Sequence, residues 1–485
     1  MIFIFSRAAF TTLRRLVTLV LIISAPLWIS ALWWQLAPRL PLRVTLVDYT
    51  VPFDSYAEHN GSMWSFNHLK LNLPSQLSAL DTRRGSTRGS AHPRSRERDV
   101  WDRERSYVGP EPFEPKRRQR LHELYPPERA QSLPLAYDMI YVADTYGVYR
   151  EDFTATIERD GEQIQVTPDS DPELLRELYN NRELDVHMDF SQVLFGGLSS
   201  EDLDTLEGHA KLGGDIFFEF NAFCDPTRPE ERARAEALAG VNWTGWSGRY
   251  LPDPTDPLDA PHWLKRLYEA QYPGRTLPNR PSLLLAHRDG RVFLVESDDP
   301  IQVVPTLHVL PKSRERLKIS NTPYYYFWFA IMRPSSSETQ VLAEIELHAP
   351  SDQLATYKLL DIPTRIPLLT EFRRGDSHRY HLSIDGSDLR QDLGSYHYAG
   401  LSLLQSLSAK NRGVSVNQRQ VFWQFYLPML RALLWERSKA RYSDFPPSIF
   451  TRLIQIATEL WESSSDDPPS RASQRAKLKP ETRTP

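Results

Sequence analysis

The sequence predicts an α/β protein with a three-layer, doubly wound and mostly parallel sheet, an N-terminal transmembrane helix and a β-rich C-terminal half. Three observations support this fold class. Residues 16–36 carry no charge. Between residues 44 and 297, three short apolar runs typical of buried parallel strands alternate with helical patterns. Later in the chain, short strand patterns follow one another with few helices between them.

Length and composition exclude several classes of protein. The chain has 485 residues, enough for two or three folding units. Its 58 Lys and Arg and 62 Asp and Glu residues give a net charge of −4, so no overall charge attracts nucleic acid. A single cysteine, Cys224, excludes an internal disulfide and a site with several cysteine ligands. We expect no nucleic-acid partner and no cofactor.

Residues 16–36 form the predicted transmembrane anchor, because about 20 helical residues cross a hydrocarbon layer of about 30 Å. Arginines precede this segment and tryptophans lie toward its far end, namely Arg7, Arg14, Arg15, Trp28, Trp33 and Trp34. This distribution predicts a cytoplasmic tail at residues 1–15 and a single-pass protein of the cytoplasmic (inner) membrane with an extracytoplasmic body. A cleaved signal peptide is the alternative, although the apolar stretch is longer than usual and no A-x-A site follows it.

The first elements of the body are a strand and a helix. Val44 to Thr50 is a β-branched run between prolines, and His59 to Leu71 has apolar residues near helical spacing. Residues 81–105 are rich in arginine and nearly free of apolar side chains, so we expect a disordered basic insertion. It could contact anionic lipid headgroups or an acidic polymer, or simply be a solvated loop.

The clearest α/β unit follows a second strand at Tyr137 to Asp144. Ser199 is placed to cap a helix, Asp202 is its capping-box partner, and Gly213 and Gly214 end that helix before a buried strand at residues 215–220. Residues 229–239 and 260–272 are further predicted helices. Strands that alternate with helices indicate a parallel sheet covered on both faces.

Residues 298–461 are expected to form a β-rich segment with two C-terminal helices. The strand pattern RYHLSIDG, ending near Gly386, could return to the main sheet. The first helix covers residues 420–437, with a kink at Pro428, and the second covers residues 448–461. Residues 462–485 are rich in Ser, Pro and charge and are expected to be a disordered tail.

Two motifs carry a resemblance to a known fold family. YDMIYVADTYGVY, followed by GGLSSEDLDTLEGHAKLGGDIFFEFNAF, resembles the class I glutamine amidotransferase-like domain. Together with VTLVDYTVPFDSYAEHNGSMWSFNHLK and VNWTGWSGRY, it is also similar to uncharacterised membrane-anchored bacterial proteins with such a domain. The resemblance covers residues 44–297 and implies the fold. The family's catalytic Cys in a G-x-C-x-G elbow and its downstream His-x-Glu are absent, since Cys224 lies in FNAFCDPT without flanking glycines.

The candidate catalytic residues are carboxylates that close the predicted strands: Asp48, Asp144 and Glu219. If the strands are neighbours, these carboxylates converge at the edge where α/β sheets bind ligands. They could serve acid/base chemistry on a glycosidic or ester bond, or hold a divalent cation. Asn221 is a candidate ligand-binding residue beside them, and Asp385 is a fourth carboxylate. Each could equally cap a helix or form a turn.

Trp243, Trp246 and Tyr250 lie among glycines and could stack on sugar rings, although a tight turn with core-packed aromatics explains the same pattern. His378 and His381 have a spacing seen in metal sites, but in a strand they point to opposite faces, so no metal site is predicted.

Two functions are compatible with the sequence. The first is a catalytically silent amidotransferase-like domain that binds a carbohydrate or an envelope-protein partner in cell-envelope or exopolysaccharide production. The alternative is a carbohydrate-active hydrolase that uses the strand-end carboxylates.

Overall fold

The computed structural model describes residues 7–50, 57–71, 106–111, 114–124, 137–159, 162–171, 173–175, 192–256, 260–389, 393 and 418–448. Within them the chain is a mixed α/β protein with one long apolar helix at its N-terminal end. The predicted basic insertion at residues 81–105, the second C-terminal helix beyond Ser448 and the predicted disordered tail lie outside the described residues.

Helix α1 (Arg7–Leu36) contains the predicted anchor. Its segment Arg14–Leu36 has a mean hydropathy of 2.2, and an 18-residue apolar window within it has no buried residue. The side chains of this segment are widely exposed, as Ile23 at 68% and Trp33 at 77% illustrate. The helix is therefore long enough and apolar enough to cross a membrane.

The main sheet has eight strands in the order β14-β16-β17-β18-β10-β5-β1-β2. Their bounds are β1 Val44–Asp48, β2 Tyr107–Val108, β5 Met139–Asp144, β10 Asp215–Glu219, β14 Thr306–Val309, β16 Gln340–Glu346, β17 Arg365–Arg374 and β18 Ser377–Leu382. Strands β2, β1, β5, β10 and β18 are parallel neighbours, whereas β14, β16, β17 and β18 are antiparallel neighbours. The α/β class is thus confirmed, and the sheet is mixed, with a parallel half and an antiparallel half.

The parallel centre of this sheet is buried on both faces. Every residue of β1, β5 and β10 is buried, as expected for continuous apolar strands between helical layers. On one face, Tyr141 and Phe217 pack with helices α2 (Asn60–His68) and α10 (Leu427–Arg441). On the other face, Ile140 and Phe218 pack with helices α4 (Ser200–Lys211) and α5 (Pro229–Ala239).

A second sheet has the order β13-β12-β11-β15 and is antiparallel throughout. Its bounds are β11 Val241–Leu251, β12 Ser282–His287, β13 Val292–Glu296 and β15 Phe329–Pro334. One face contributes to the core of the main sheet through Tyr250 and Phe329, and the other packs on helix α6 (His262–Gln271) through Leu284.

The remaining described elements are short. They are α3 Leu121–Leu124, α7 Pro311–Leu317, α8 Leu354–Leu359, α9 Gln418–Val421, β3 Pro110–Glu111, β4 Glu114–Arg118, β6 Val148–Tyr149, β7 Ala155–Arg159, β8 Glu162–Val166 and β9 Val193–Phe195, with 3-10 turns at Ala57–His59, Arg150–Phe153 and Pro300–Gln302.

Several local predictions are confirmed. Ser199 Oγ accepts a hydrogen bond from Asp202 N, and the Asp202 carboxylate accepts one from Ser199 N, which is a complete capping box for α4. The strand pattern before Gly386 does join the main sheet, because β18 is a parallel neighbour of β10. Strands from both sides of Ser297 therefore share one sheet. Pro428 lies at the start of α10, after a π-helical turn at Phe422–Tyr426.

Candidate functional site: the carboxylate edge of the main sheet

The predicted carboxylates lie at the carboxyl ends of neighbouring parallel strands. Asp48 ends β1, Asp144 ends β5, and their Cα atoms are register partners. Glu219 ends β10 on the other side of β5. Asp48 and Glu219 are fully buried and Asp144 is 8% exposed. The structure thus places all three at the same edge of the sheet. We call these three residues, together with Glu58, Asp385 and Asp388, the carboxylate edge.

Asp48 is paired with a histidine that the sequence did not single out. His59 lies in the 3-10 turn that leads into α2, and its Nδ1 is 2.5 Å from Asp48 Oδ2, with both side chains fully buried. Asp48 Oδ1 accepts a hydrogen bond from Thr50 N at 2.8 Å. A carboxylate that holds an imidazole in this way fixes the orientation of the ring.

The surroundings of Asp144 favour its protonated form. Its Oδ1 accepts a hydrogen bond from Tyr146 N at 2.6 Å, which shapes the turn after β5. Burial raises the pKa of Asp144 to about 8, and the nearby charge of Asp48 contributes in the same direction. At neutral pH this side chain therefore holds a proton beside the Asp48–His59 pair.

Glu219 is held by three donors from two parts of the chain. Its Oε1 accepts hydrogen bonds from Gly386 N at 2.8 Å and Ser387 N at 2.7 Å, and the Tyr141 hydroxyl donates to Oε2. Burial raises the pKa of Glu219 to about 7, although these donors act against the shift. Glu219 thereby connects the loop after β18 to the end of strand β10.

Hydroxyl groups extend this contact into the helical layer. The Tyr141 hydroxyl is 2.7 Å from the Tyr426 hydroxyl, which is 2.8 Å from Ser62 Oγ. A hydrogen-bonded chain thus connects Glu219 to α2 through buried groups, and such chains hold their members in one arrangement.

Other acids at this edge were missed or ranked lower from the sequence. Burial and then the charge of Asp388 raise the pKa of Glu58 well above its usual range, and they do the same for Asp385. Asp385 Oδ1 also accepts a hydrogen bond from Asp388 N, so the predicted turn role of Asp385 is present. Glu58 carries no strand-end signal, because it lies in the 3-10 turn Ala57–His59 and not at the end of a strand.

The carboxylate edge differs from an ordinary ion-pair network in the partners of three of its acids. Within the described ranges, no lysine or arginine forms an ion pair with Asp144, Glu219 or Asp385. Burial without a cation favours the protonated form of a carboxyl group, and a protonated carboxyl group can donate as well as accept hydrogen bonds. The arrangement can therefore bind hydroxyl groups or exchange protons.

The backbone bends sharply where strand β10 ends. Phe220 has a φ of +39°, and its N–H donates to Leu382 O at 2.6 Å. A non-glycine residue in this region is strained and is held there by its surroundings. The following Asn221 donates from Nδ2 to Asp225 O, and its own carbonyl accepts from Thr145 Oγ1, so it is used within the loop.

Cys224 is not activated as a nucleophile. The side chain is 1% exposed, and burial raises the pKa of its thiol well above the usual range. A reactive cysteine needs the opposite shift, because the thiolate is the nucleophile.

Comparison with protein-family models, with curated proteins and with solved structures gives no match. The amidotransferase-like resemblance remains a prediction from the sequence motifs.

The three aromatic residues that could stack on sugar rings differ in how deeply they are buried. Trp246 and Tyr250 are each 5% exposed and belong to the main core, whereas Trp243 is half-buried. Trp243 and Trp246 line a cleft of about 380 Å³ whose other wall includes Arg333 and Asp361. The guanidinium groups of Arg232 and Arg288 lie 5.6 and 5.7 Å from the Trp243 ring. They cover part of the surface on which a sugar ring could stack.

The two histidines of HRYH lie on opposite faces of β18. His381 is fully buried against Phe223, and burial lowers its pKa to about 3. His378 Nδ1 is 2.7 Å from Glu371 Oε1, and Glu436 lies nearby. Arg316 donates to the carboxylates of both glutamates, so its guanidinium group occupies the centre of this cluster.

Proposed function

We propose that the chain is a single-pass membrane protein whose body binds a hydroxyl-rich ligand, such as a saccharide, at the carboxylate edge without turning it over. In this proposal the amidotransferase-like domain has lost its nucleophile, and the protein acts in binding or assembly during cell-envelope or exopolysaccharide production. The observation that carries the proposal is the cluster of buried carboxyl groups around Asp144, whose pKa values burial raises, at the edge where α/β sheets bind ligands.

The residue that follows strand β10 supports the proposed loss of catalysis. In the family that the sequence resembles, the nucleophile lies on a strained turn after a buried strand. Here Phe220 has the strained backbone, and its ring packs between two apolar clusters. A phenyl ring supplies no nucleophile, and the thiol of Cys224 is buried nearby with a raised pKa.

Contacts between α1 and the body support an uncleaved anchor. Lys70 Nζ donates to the carbonyls of Gln35 and Ala37 at 3.1 and 3.0 Å, which caps the C-terminal end of α1. The same ammonium group is 4.2 Å from the Trp34 ring, and Trp34 Nε1 donates to His68 O at 2.9 Å. Removal of the helix as a signal peptide would leave the buried Lys70 without these acceptors.

This docking also sets an orientation for the body. Strand β1 starts a few residues after α1, and α2 returns from the carboxylate edge to His68, beside Trp34. A five-residue strand is about 16 Å long. In the proposed topology, with the arginine flank in the cytoplasm, the carboxylate edge therefore faces away from an extracytoplasmic membrane surface.

A hydrolase is the second candidate, and one specific observation favours it. Asp144 is protonated at neutral pH, and its register partner Asp48 is held by His59. An acid that can protonate a leaving oxygen, next to a second carboxylate, is the pairing that glycosidic-bond cleavage uses. Glu219 is less suited to this role because protein donors occupy both of its oxygens.

Purified full-length protein in detergent can distinguish the two functions. Saccharide binding is measured on a panel of polysaccharides, and release of reducing ends is measured on the same panel. We expect saturable binding without release, and weaker binding by the Asp144→Asn, Glu219→Gln double variant with its fold checked by circular dichroism. Asp204→Asn, a change at an exposed carboxylate, is the matched control.

Release of reducing ends that the double variant abolishes would establish the hydrolase instead. Binding that is the same in the double variant and in the wild type, or an absence of saccharide binding, would overturn the proposal.

A further inference from the structure

The amino-terminal edge of the main sheet, at which the parallel strands β1, β5, β10 and β18 begin, lies opposite the carboxylate edge. Three segments meet there: the end of α4, the turn between β17 and β18, and the end of α10. Arg441 donates to Gly213 O after α4, and Arg437 donates to Asp376 O in the β17–β18 turn. These bonds join the three segments into one surface.

This surface adjoins the end of the proposed anchor. Trp34, in the last turns of α1, donates from Nε1 to His68 O at the end of α2. Tyr442, directly after α10, donates to Asp138 at 2.8 Å, and Asp138 also binds Arg43 just before β1. The starts of β1 and β18 are three strand spacings apart, about 14 Å. The whole surface therefore lies close to the point where α1 joins the body.

Positive charge is in excess on this surface. Arg437 and Arg441 share the single carboxylate of Asp215, which leaves one positive charge uncompensated. Asp376 and Asp444 are exposed acids nearby. Each of the three segments also carries an exposed cation: Lys211, Arg374 and Lys439. The surface is thus positive, although the chain as a whole has a net charge of −4.

Apolar and aromatic side chains accompany these cations. Leu212, which directly follows α4, is 42% exposed. On α10, the half-buried Trp435 packs on Phe445 with ring centroids 4.7 Å apart, and Lys439 Nζ lies 6.0 Å from the Trp435 ring. Cations, a tryptophan and an exposed leucine are the composition of surfaces that bind the headgroup region of a membrane.

We propose that the amino-terminal edge rests on the membrane that α1 crosses and binds its anionic phospholipid headgroups. Lys211, Arg374 and Lys439 would face the phosphates, and Leu212 would reach below them. This inference rests on the membrane anchor of the proposed function. With α1 and this surface both in contact with the membrane, the body is held upright and the carboxylate edge points away from the lipid.

The test uses full-length protein reconstituted in vesicles of phosphatidylcholine and phosphatidylglycerol that contain some lipid with a nitroxide on its headgroup. A bimane fluorophore is attached at Leu212→Cys, in a Cys224→Ala background that removes the native thiol. Leu359→Cys is the matched control, because Leu359 is 78% exposed and lies on α8, which precedes β17 on the side of the carboxylate edge. We expect nitroxide lipid to quench the label at position 212 and to leave the label at position 359 unchanged.

The role of charge is tested by replacing the three exposed cations together. We expect the triple variant Lys211→Gln, Arg374→Gln, Lys439→Gln to lose quenching at position 212, as should wild-type cations in vesicles of phosphatidylcholine alone. The matched triple variant changes exposed cations of α6 and α8 and should keep the quenching: Lys265→Gln, Arg266→Gln, Lys358→Gln. Undiminished quenching after loss of Lys211, Arg374 and Lys439 would overturn the recognition of anionic lipid.

Extraction of the vesicles with alkaline carbonate tests the anchor separately. Release of the protein would refute the membrane-spanning α1 of the proposed function, and this inference with it. A protein that stays in the membrane but is quenched equally at positions 212 and 359 would overturn this inference alone.

Discussion

The two edges of the main sheet's parallel centre carry the same kind of residue in opposite electrostatic settings. At the amino-terminal edge, Asp138 is bound by both arms of Arg43, and Asp215 is bound by Arg437 at 2.8 Å and by Arg441 at 3.0 Å. At the carboxyl-terminal edge, the acids lie near one another, and no lysine or arginine in the described ranges pairs with Asp144, Glu219 or Asp385.

The pKa values follow this difference. Burial alone would raise the pKa of Asp138, but the hydrogen bonds from Arg43 outweigh burial and lower it. For Asp144, burial and the charge of Asp48 both raise the pKa. Burial is common to both edges, so the arginines decide whether a buried acid is charged. The acids of one edge are paired with arginines, and burial raises the pKa values of acids at the other edge.

The largest expected effect comes from breaking the amino-terminal edge. Arg437→Met should destabilise the protein by about 3 kcal/mol, because it leaves the fully buried Asp215 with one arginine instead of two. Unfolding of the full chain by denaturant measures the change. Arg234→Met, at a half-exposed pair with Asp204, is the control and should cost less than about 1 kcal/mol. Equal losses in the two variants would refute a structural role for this edge.

A smaller effect is expected from the hydroxyl chain behind the carboxylate edge. Tyr426→Phe removes the group that connects Tyr141 to Ser62, all within a buried site. We expect a loss of about 1 to 2 kcal/mol in the free energy of unfolding, as for a buried hydrogen bond whose partners are left behind. Ser62→Ala removes only the end of the chain and should cost less. A larger loss from Ser62→Ala than from Tyr426→Phe would contradict this connectivity.

Sequence patterns predicted the strand-end acids because they are local. An apolar run that ends on Asp48 or Asp144 can be recognised from a few residues, and parallel strands necessarily end at one edge. The capping box at Ser199 and Asp202 is similarly local and was predicted correctly. The buried centre of the sheet follows from the same runs.

The partners of these acids could not be predicted, because they come from distant parts of the chain. Arg437 reaches Asp215 from the C-terminal helix, and Ser387 reaches Glu219 from the loop after β18. His59 precedes a helix in a sequence with no distinctive motif, so only the fold brings it to Asp48. The antiparallel half of the sheet likewise depends on pairings that short strand patterns leave open.

The most direct test of the proton-holding edge is the pH dependence of the free energy of unfolding for the wild type, Asp144→Asn and Asp138→Asn. A buried acid with a raised pKa stabilises the fold below its unfolded value of about 4, and this contribution disappears as the pH rises through its folded value of about 8. Asp138 has a lowered pKa, so its contribution is present above the unfolded value and is lost as the pH falls.

We therefore predict that Asp144→Asn flattens the decline in stability between pH 4 and pH 8, and that Asp138→Asn instead flattens the decline toward acid. A wild-type slope above pH 4 that Asp144→Asn leaves unchanged would contradict a neutral Asp144.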